Sequence, residues 1–249
     1  MILASAQTKP KQGDVKSNLI DHYNLIEIAS ENQVDLIVFP EMSITGYERE
    51  NALSLAFTEN DSRLENLRQL SVKKQMILVA GAPILINNDL YIGALIIKPD
   101  YSISVYTKQY LYFGEEGFFK SSFDYNPSIL INQEQISFSI CADIENPLHP
   151  KAACKLGTTV YISSIFFTHM SDAYKTLSGY ASRYNMNVLM SNFCGHSWGR
   201  DASGQSGFWD KNGKLIASLN NTDSGLLIVE NVNNTWVRKA IIYKECGGQ

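Results

Sequence analysis

Three short segments end alike: an apolar run stops abruptly at a residue able to do chemistry. They are Val38-Phe39-Pro40-Glu41, Val105-Tyr106-Thr107-Lys108 and Phe138-Ser139-Ile140-Cys141. A carboxylate, an ammonium and a thiol together make a set for acyl transfer. The thiol attacks and the carboxylate removes its proton, while the cation stabilises the oxyanion and favours the thiolate. Taken singly, each has an ordinary explanation. Glu41 before the Gly46-Tyr47 turn is a solvated carboxylate, Lys108 a surface lysine, and Cys141 a small buried hydrophobe. Spacing alone leaves both readings open. The shared feature is position, since crevices form at strand ends of α/β sheets, where a rigid scaffold holds side chains.

Hydrophobic patterning supplies the strands and helices that would position them. Residues 2–6, 76–83, 90–97 and 103–106 read as strands, as does the apolar run 36–39, which suits a strand buried on both faces. Asn87-Asn88-Asp89 is the turn between two of them. Gly13-Asp14 offers a helix cap before Val15, Leu19, Ile20, Tyr23, Ile26 and Ala29 at helical spacing. Residues 62–74, 147–156 and 171–184 also read as helices. Strands are expected at 128–131, 136–141, 160–163, 188–191, 207–209, 215–219, 225–229 and 240–243. Helices and strands interleave without a linker, low-complexity stretch or repeat, which predicts one α/β domain over residues 1–249 with helices covering the sheets.

Composition narrows the partners. A chain of 249 residues that is 45% hydrophobic and 18% charged can build a core. Its formal charge of −4, with no basic stripe, speaks against nucleic acid or an anionic membrane as partner. No apolar run reaches the ~18 residues of a membrane span, and residues 1–7 read as a strand rather than a signal peptide. The cysteines are Cys141, Cys154, Cys194 and Cys246, without CxxC spacing. Neither a disulfide framework nor a zinc site is indicated, and a reducing cytoplasm is the expected compartment. Cys154 is expected to pack on a helix. A Cys–His pair would need His149, His169 or His196 beside a thiol; these read instead as solvated or structural. No phosphate loop or metal cluster is present in the sequence, so no cofactor is expected.

The segments FPEMSITGY (39–47), YTKQYLYFGEE (106–116) and ISFSICADIENP (136–147) resemble the three catalytic motifs of the nitrilase, or carbon–nitrogen hydrolase, superfamily, in the same order. LMSNFCG (189–195) and SGQSGFWDKNGKLIA (203–217) resemble its later asparagine and glycine-serine signatures. The resemblance spans essentially the whole chain. It implies a four-layer αββα sandwich, with Glu41 as general base, Lys108 on the tetrahedral intermediate and Cys141 as nucleophile. It also implies a second glutamate, at Glu115 in preference to Glu116, and an oxyanion contact from the backbone N–H of Ala142. The expected pocket draws on Tyr47, Tyr112, Phe113, Ser164 and Phe166. A homodimer or higher homo-oligomer is expected. The sequence lacks the Trp-Glu pair that follows the cysteine in nitrile-cleaving members and carries Arg183 where many members have glutamate. These departures bear on the substrate subclass and not on the core chemistry. A small amide is the expected substrate, with N-carbamoyl compounds, nitriles and a catalytically idle binding module as rivals.

Overall fold

The computed structural model describes residues 1–233 and 235–243. One sheet has seven strands in the order β15-β14-β1-β2-β3-β4-β5. Its parallel centre is β1 (Ile2–Gln7), β2 (Leu36–Val38) and β3 (Ile77–Ile86). Antiparallel strands β4 (Asp89–Ile97) and β5 (Ile103–Thr107) flank it on one side, β14 (Gly225–Val232) and β15 (Thr235–Ile242) on the other. The second sheet runs β13-β12-β9-β8-β7-β6. Here β7 (Glu134–Ile140), β8 (Val160–Ile165) and β9 (Asn187–Asn192) are parallel. The edges are β6 (Ile129–Ile131) and the β12 (Gly207–Trp209)/β13 (Leu215–Ser218) pair.

Period-two alternation along the strands explains the layers. Leu36, Val38, Leu3 and Val79 face Ile136, Phe138, Ile162 and Leu189 across a core between the sheets. Their neighbours Ile37, Phe39, Ala4 and Leu78 point the other way, onto α1 (Val15–Glu31) and α3 (Glu65–Lys74). On the far side Tyr161, Val188 and Met190 pack on α4 (Leu148–Lys155) and α5 (Ser171–Tyr184). The result is the expected αββα sandwich. Because nearly every inner strand residue is buried, these strands read as continuous apolar runs. A short α2 (Ala52–Leu55) and a hairpin of β10 (Cys194–Ser197) and β11 (Arg200–Ser203) complete the order.

Local chemistry sets several boundaries. The Asp14 side chain accepts from Ser17 N at 3.0 Å and starts α1 as expected of a cap. The buried stripe of α1 passes through His22 and Leu25, whereas Ile20 is 48% exposed and points away from the sheet, against expectation. Asn87 and Asn88 both adopt positive φ, the geometry of a tight hairpin turn matched to strand twist. The hairpin of β10 and β11 carries too little apolar alternation to be expected from sequence, and Cys246 lies outside the described residues. Cys154 lies on α4, as expected.

One close approach fixes the chain beyond β2. A Cβ on Gly81 would sit 2.4 Å from Met42 N and 2.5 Å from Pro40 O, so only hydrogen fits between β3 and the segment carrying Glu41. Gly81→Ala is expected to lower stability by ~1–3 kcal/mol or more, since a packed core cannot absorb the methyl. It is also expected to displace Glu41. Denaturant unfolding checks the first effect, and alkylation of Cys141 timed in both proteins checks the second.

Candidate active site

Glu41 follows β2, Lys108 directly follows β5 and Cys141 directly follows β7, so the two sheets deliver the three residues to one place. Lys108 is fully buried. Its Nζ lies 2.8 Å from Glu41 Oε1 and 2.8 Å from both Glu115 oxygens. Glu115 enters because the chain turns at Gly114, whose φ of 85° places it where side chains are disfavoured. Glu116 stays exposed. Tyr47 Oη donates to Glu115 Oε1 at 2.6 Å, and Tyr112 N donates to Oε2 at 2.8 Å. The second oxygen of Glu41, Oε2, is buried and has no hydrogen-bond partner among the described residues.

Cys141 sits at a sharp elbow between β7 and a 3-10 turn, Cys141–Glu145. Its φ of 45° is left-handed, a conformation costing on the order of 1–3 kcal/mol for a residue with a side chain. The thiol touches Phe166 O at 3.9 Å. Asp143 holds the elbow. One carboxylate oxygen accepts from Gln109 N (3.0 Å) and Tyr110 N (2.8 Å), just past Lys108. The other accepts from Ile140 N (2.8 Å) and Tyr106 Oη (2.6 Å). The segments bearing the ammonium and the thiol are thus tied to one side chain. His149 belongs to this support, with its ring nitrogens 2.8 Å from Tyr106 Oη and 2.7 Å from Tyr161 Oη.

Burial governs the protonation states. It pushes the Glu41 carboxyl up to about 7; Lys108 pulls it down and Glu115 pushes it up further. Burial also pushes the Cys141 thiol well above its usual range, reinforced by Glu41, and the opposing pull of Lys108 does not offset this. Lys108 does favour the thiolate, as expected, but burial and Glu41 outweigh it and favour the thiol. For Lys108, burial alone would drive the ammonium toward neutrality. Glu41, Cys141 and Glu115 outweigh it and raise the pKa well above normal.

Glu41, Glu115 and Cys141 open onto a cavity of about 260 Å³, with Lys108 buried behind them. Tyr47, Tyr112 and Phe166 line it as expected. Phe113 does not: it is 87% exposed, because the turn that sends Glu115 inward sends its neighbour out. Ser164 does not either, since its hydroxyl donates to Phe39 O at 2.9 Å and ties the sheets together. Ala142 is buried directly after Cys141. Sequence reasoning missed Arg49, Trp198 and Arg200, which also line the cavity. No hydrogen bond joins a histidine to Cys141 among the described residues; His169 lies exposed at the cavity mouth and His196 pairs with Asp201.

A thiol, an ammonium and two carboxylates gathered on an αββα sandwich have the chemistry of a cysteine acyl-transfer site. The sequence matches the carbon–nitrogen hydrolase family over residues 2–237, and the chain belongs to that family. An amidase from Nesterenkonia sp. AN1 superposes with a TM-score of 0.84 at 23% identity, over 92% of each chain. A variant of that amidase carries the acetamide moiety of fluoroacetamide on its active-site cysteine. The chain is 31% identical to a glutamine-dependent NAD(+) synthetase of Thermotoga maritima over 63% of its own length and 28% of the relative's. It is 30% identical to a protein N-terminal amidase of Schizosaccharomyces pombe over 61% of its own length and 58% of the relative's. The chain thus matches only part of these two relatives, but it spans 87% of a hydrolase in the agr operon of Staphylococcus aureus at 25% identity. No described helix is long and apolar enough to cross a membrane.

Two variants test the geometry. Lys108→Met leaves Glu41 and Glu115 buried without a cation, so stability should fall by ~3–5 kcal/mol at neutral pH. The loss should shrink as pH falls through 7 and the Glu41 carboxyl takes up a proton; a loss independent of pH in urea melts would contradict the pairing. Asp143→Asn replaces one acceptor oxygen with a donor facing existing donors. Hydrogen bonds to a charged group are worth ~1.5–3 kcal/mol each, so a drop of about 3 kcal/mol is expected. Calorimetry at fixed pH measures it.

Proposed function

We propose that the chain hydrolyses a small carboxamide through a thioester on Cys141, with Glu41, Lys108 and Cys141 as the catalytic set. The observation that carries this reading is the buried ammonium of Lys108 held between Glu41 and Glu115 beside the thiol. A module that only binds a partner has little reason to keep so costly an arrangement. As Sγ attacks the carbonyl carbon, Glu41 takes the thiol proton through its unpartnered Oε2. Lys108 and the Ala142 N–H stabilise the oxyanion of the tetrahedral intermediate. Glu41 returns the proton to the departing nitrogen, ammonia leaves, and the thioester remains. Water then attacks, Glu41 again acts as base, and the acid departs as the thiol is restored. Glu115 positions Lys108 and Tyr47 and bears on substrate placement. Amidase activity in the Nesterenkonia sp. AN1 protein and the Schizosaccharomyces pombe relative favours an amide over a nitrile or carbamoyl substrate.

Ammonia release from a panel of amides, carbamoyl amino acids and nitriles tests the substrate class. Cys141→Ala should abolish turnover with the fold intact, and mass spectrometry should find the adduct on Cys141 and not on Cys154 or Cys194. Glu41→Gln should lower kcat on the order of 10²–10⁴-fold. The base works only when ionised, and its carboxyl titrates at about 7. So kcat/KM should fall as pH drops through 7. A flat profile between pH 5 and 8 would remove Glu41 from the role.

A further inference from the structure

Arg49 is 8% exposed, yet among the described residues no carboxylate pairs with it. Its Nε and Nη2 donate to the neutral Tyr47 oxygen at 3.0 and 2.8 Å. Its guanidinium carbon lies 4.3 Å from the Trp198 ring centre, and that of Arg200 lies 5.5 Å from the same ring. Trp198, at the tip of the hairpin of β10 and β11, is thus flanked by two cations that both line the cavity. Gly114 packs closely on Nη1, which would lie only 2.9 Å from a Cβ at that position. Lys108 has counter-charges in direct contact, whereas among the described residues Arg49 reaches a carboxylate, Glu115, only through the Tyr47 hydroxyl. A buried cation without an anion is costly, and the cavity is where an anion can reach it. The guanidinium fork suits a carboxylate.

We propose that Arg49, aided by Arg200, is a specificity determinant that binds a carboxylate on the acyl part of the substrate. This rests on the amide reading, in which the leaving group is ammonia and any further charge belongs to the acyl side. The cavity of about 260 Å³ admits a short acyl chain. Glu145 and Asp172, exposed residues that also line the cavity, disfavour a second negative charge on the substrate.

The test compares chain-matched amides on the full-length protein: neutral butyramide, anionic succinamate and cationic 3-aminopropanamide. Succinamate should have the highest kcat/KM, by tenfold or more over butyramide. Arg49→Met should erase most of that ratio through the KM for succinamate, with Arg49→Lys restoring part of it. Arg49 also holds Tyr47, so butyramide turnover should fall too, and the ratio isolates the charge. A ratio near one, a ratio untouched by Arg49→Met, or a preference for 3-aminopropanamide would overturn the proposal while leaving the amide reading intact. If none of the amides turns over, protection of Cys141 against iodoacetamide decides. Protection by succinate, stronger than by butyrate and lost in Arg49→Met, would uphold the anion site although the amide reading had failed. Equal protection by the two acids would overturn it.

Discussion

The ammonium of Lys108, sealed from water between two carboxylates, is the constraint to which the rest of the architecture answers. An ion taken out of water loses hydration worth several kcal/mol, and only close, well-aligned counter-charges restore it. Lys108 Nζ has them at 2.8 Å from Glu41 and from Glu115. Holding three charged side chains at such distances demands a backbone that does not yield. Parallel strands buried on both faces provide it, and Gly81 packs directly against the Glu41 segment. Beside each of the three chemical groups outside Lys108 the backbone is left-handed: Met42 next to Glu41, Gly114 next to Glu115, and Cys141 itself. Such strain persists only where the surroundings over-determine the chain. Here the sheets and their two outer helical layers do so.

Asp143 extends the same logic to the neutral framework. Its carboxylate joins the turn after β5 to the elbow after β7, which come from different sheets. Without that link the relative position of Lys108 and Cys141 would depend on side-chain packing between sheets alone. Ser164 adds a second tie, its hydroxyl on Phe39 O. These contacts concentrate cross-sheet hydrogen bonds where misalignment would separate the reacting groups.

How much of this was legible in the sequence follows from what each signal measures. Abrupt ends of apolar runs marked Glu41, Lys108 and Cys141, because a buried strand must be apolar until it reaches the site. Glu115 was preferred to Glu116 through the family resemblance, by its place after Gly114 and before Phe118-Phe119. The left-handed turn at Gly114 is the physical reason it holds. The same turn exposes Phe113, and aromatic character alone could not report that. Ser164 sits on a strand whose alternate face meets the opposite sheet, so its partner was 125 residues away and invisible locally. Ile20 matched a helical spacing but not the phase that tertiary packing chose. Arg49 was hidden for a deeper reason: a charged residue in a loop reads as solvated, and only the fold reveals its burial. Trp198 and Arg200 lie on a hairpin with too little alternation to be read as strands.

Burial raises both Glu41 and Cys141, and this joint shift shapes the proposed reaction. A thiolate standing next to an ionised Glu41 would place like charges together in a dry site, so the proton stays with one of them. The resting enzyme then holds a thiol that is poorly reactive toward adventitious electrophiles. Attack becomes favourable as charge moves from sulfur to the substrate oxygen, where Lys108 is positioned to receive it. Proton transfer to Glu41 and formation of the carbon–sulfur bond are thereby coupled in the proposed step. A carboxyl near 7 suits that exchange, because it is basic enough to accept the proton and acidic enough to release it to the leaving nitrogen. The burial that makes Lys108 expensive to keep is thus the same burial that tunes the base and restrains the nucleophile.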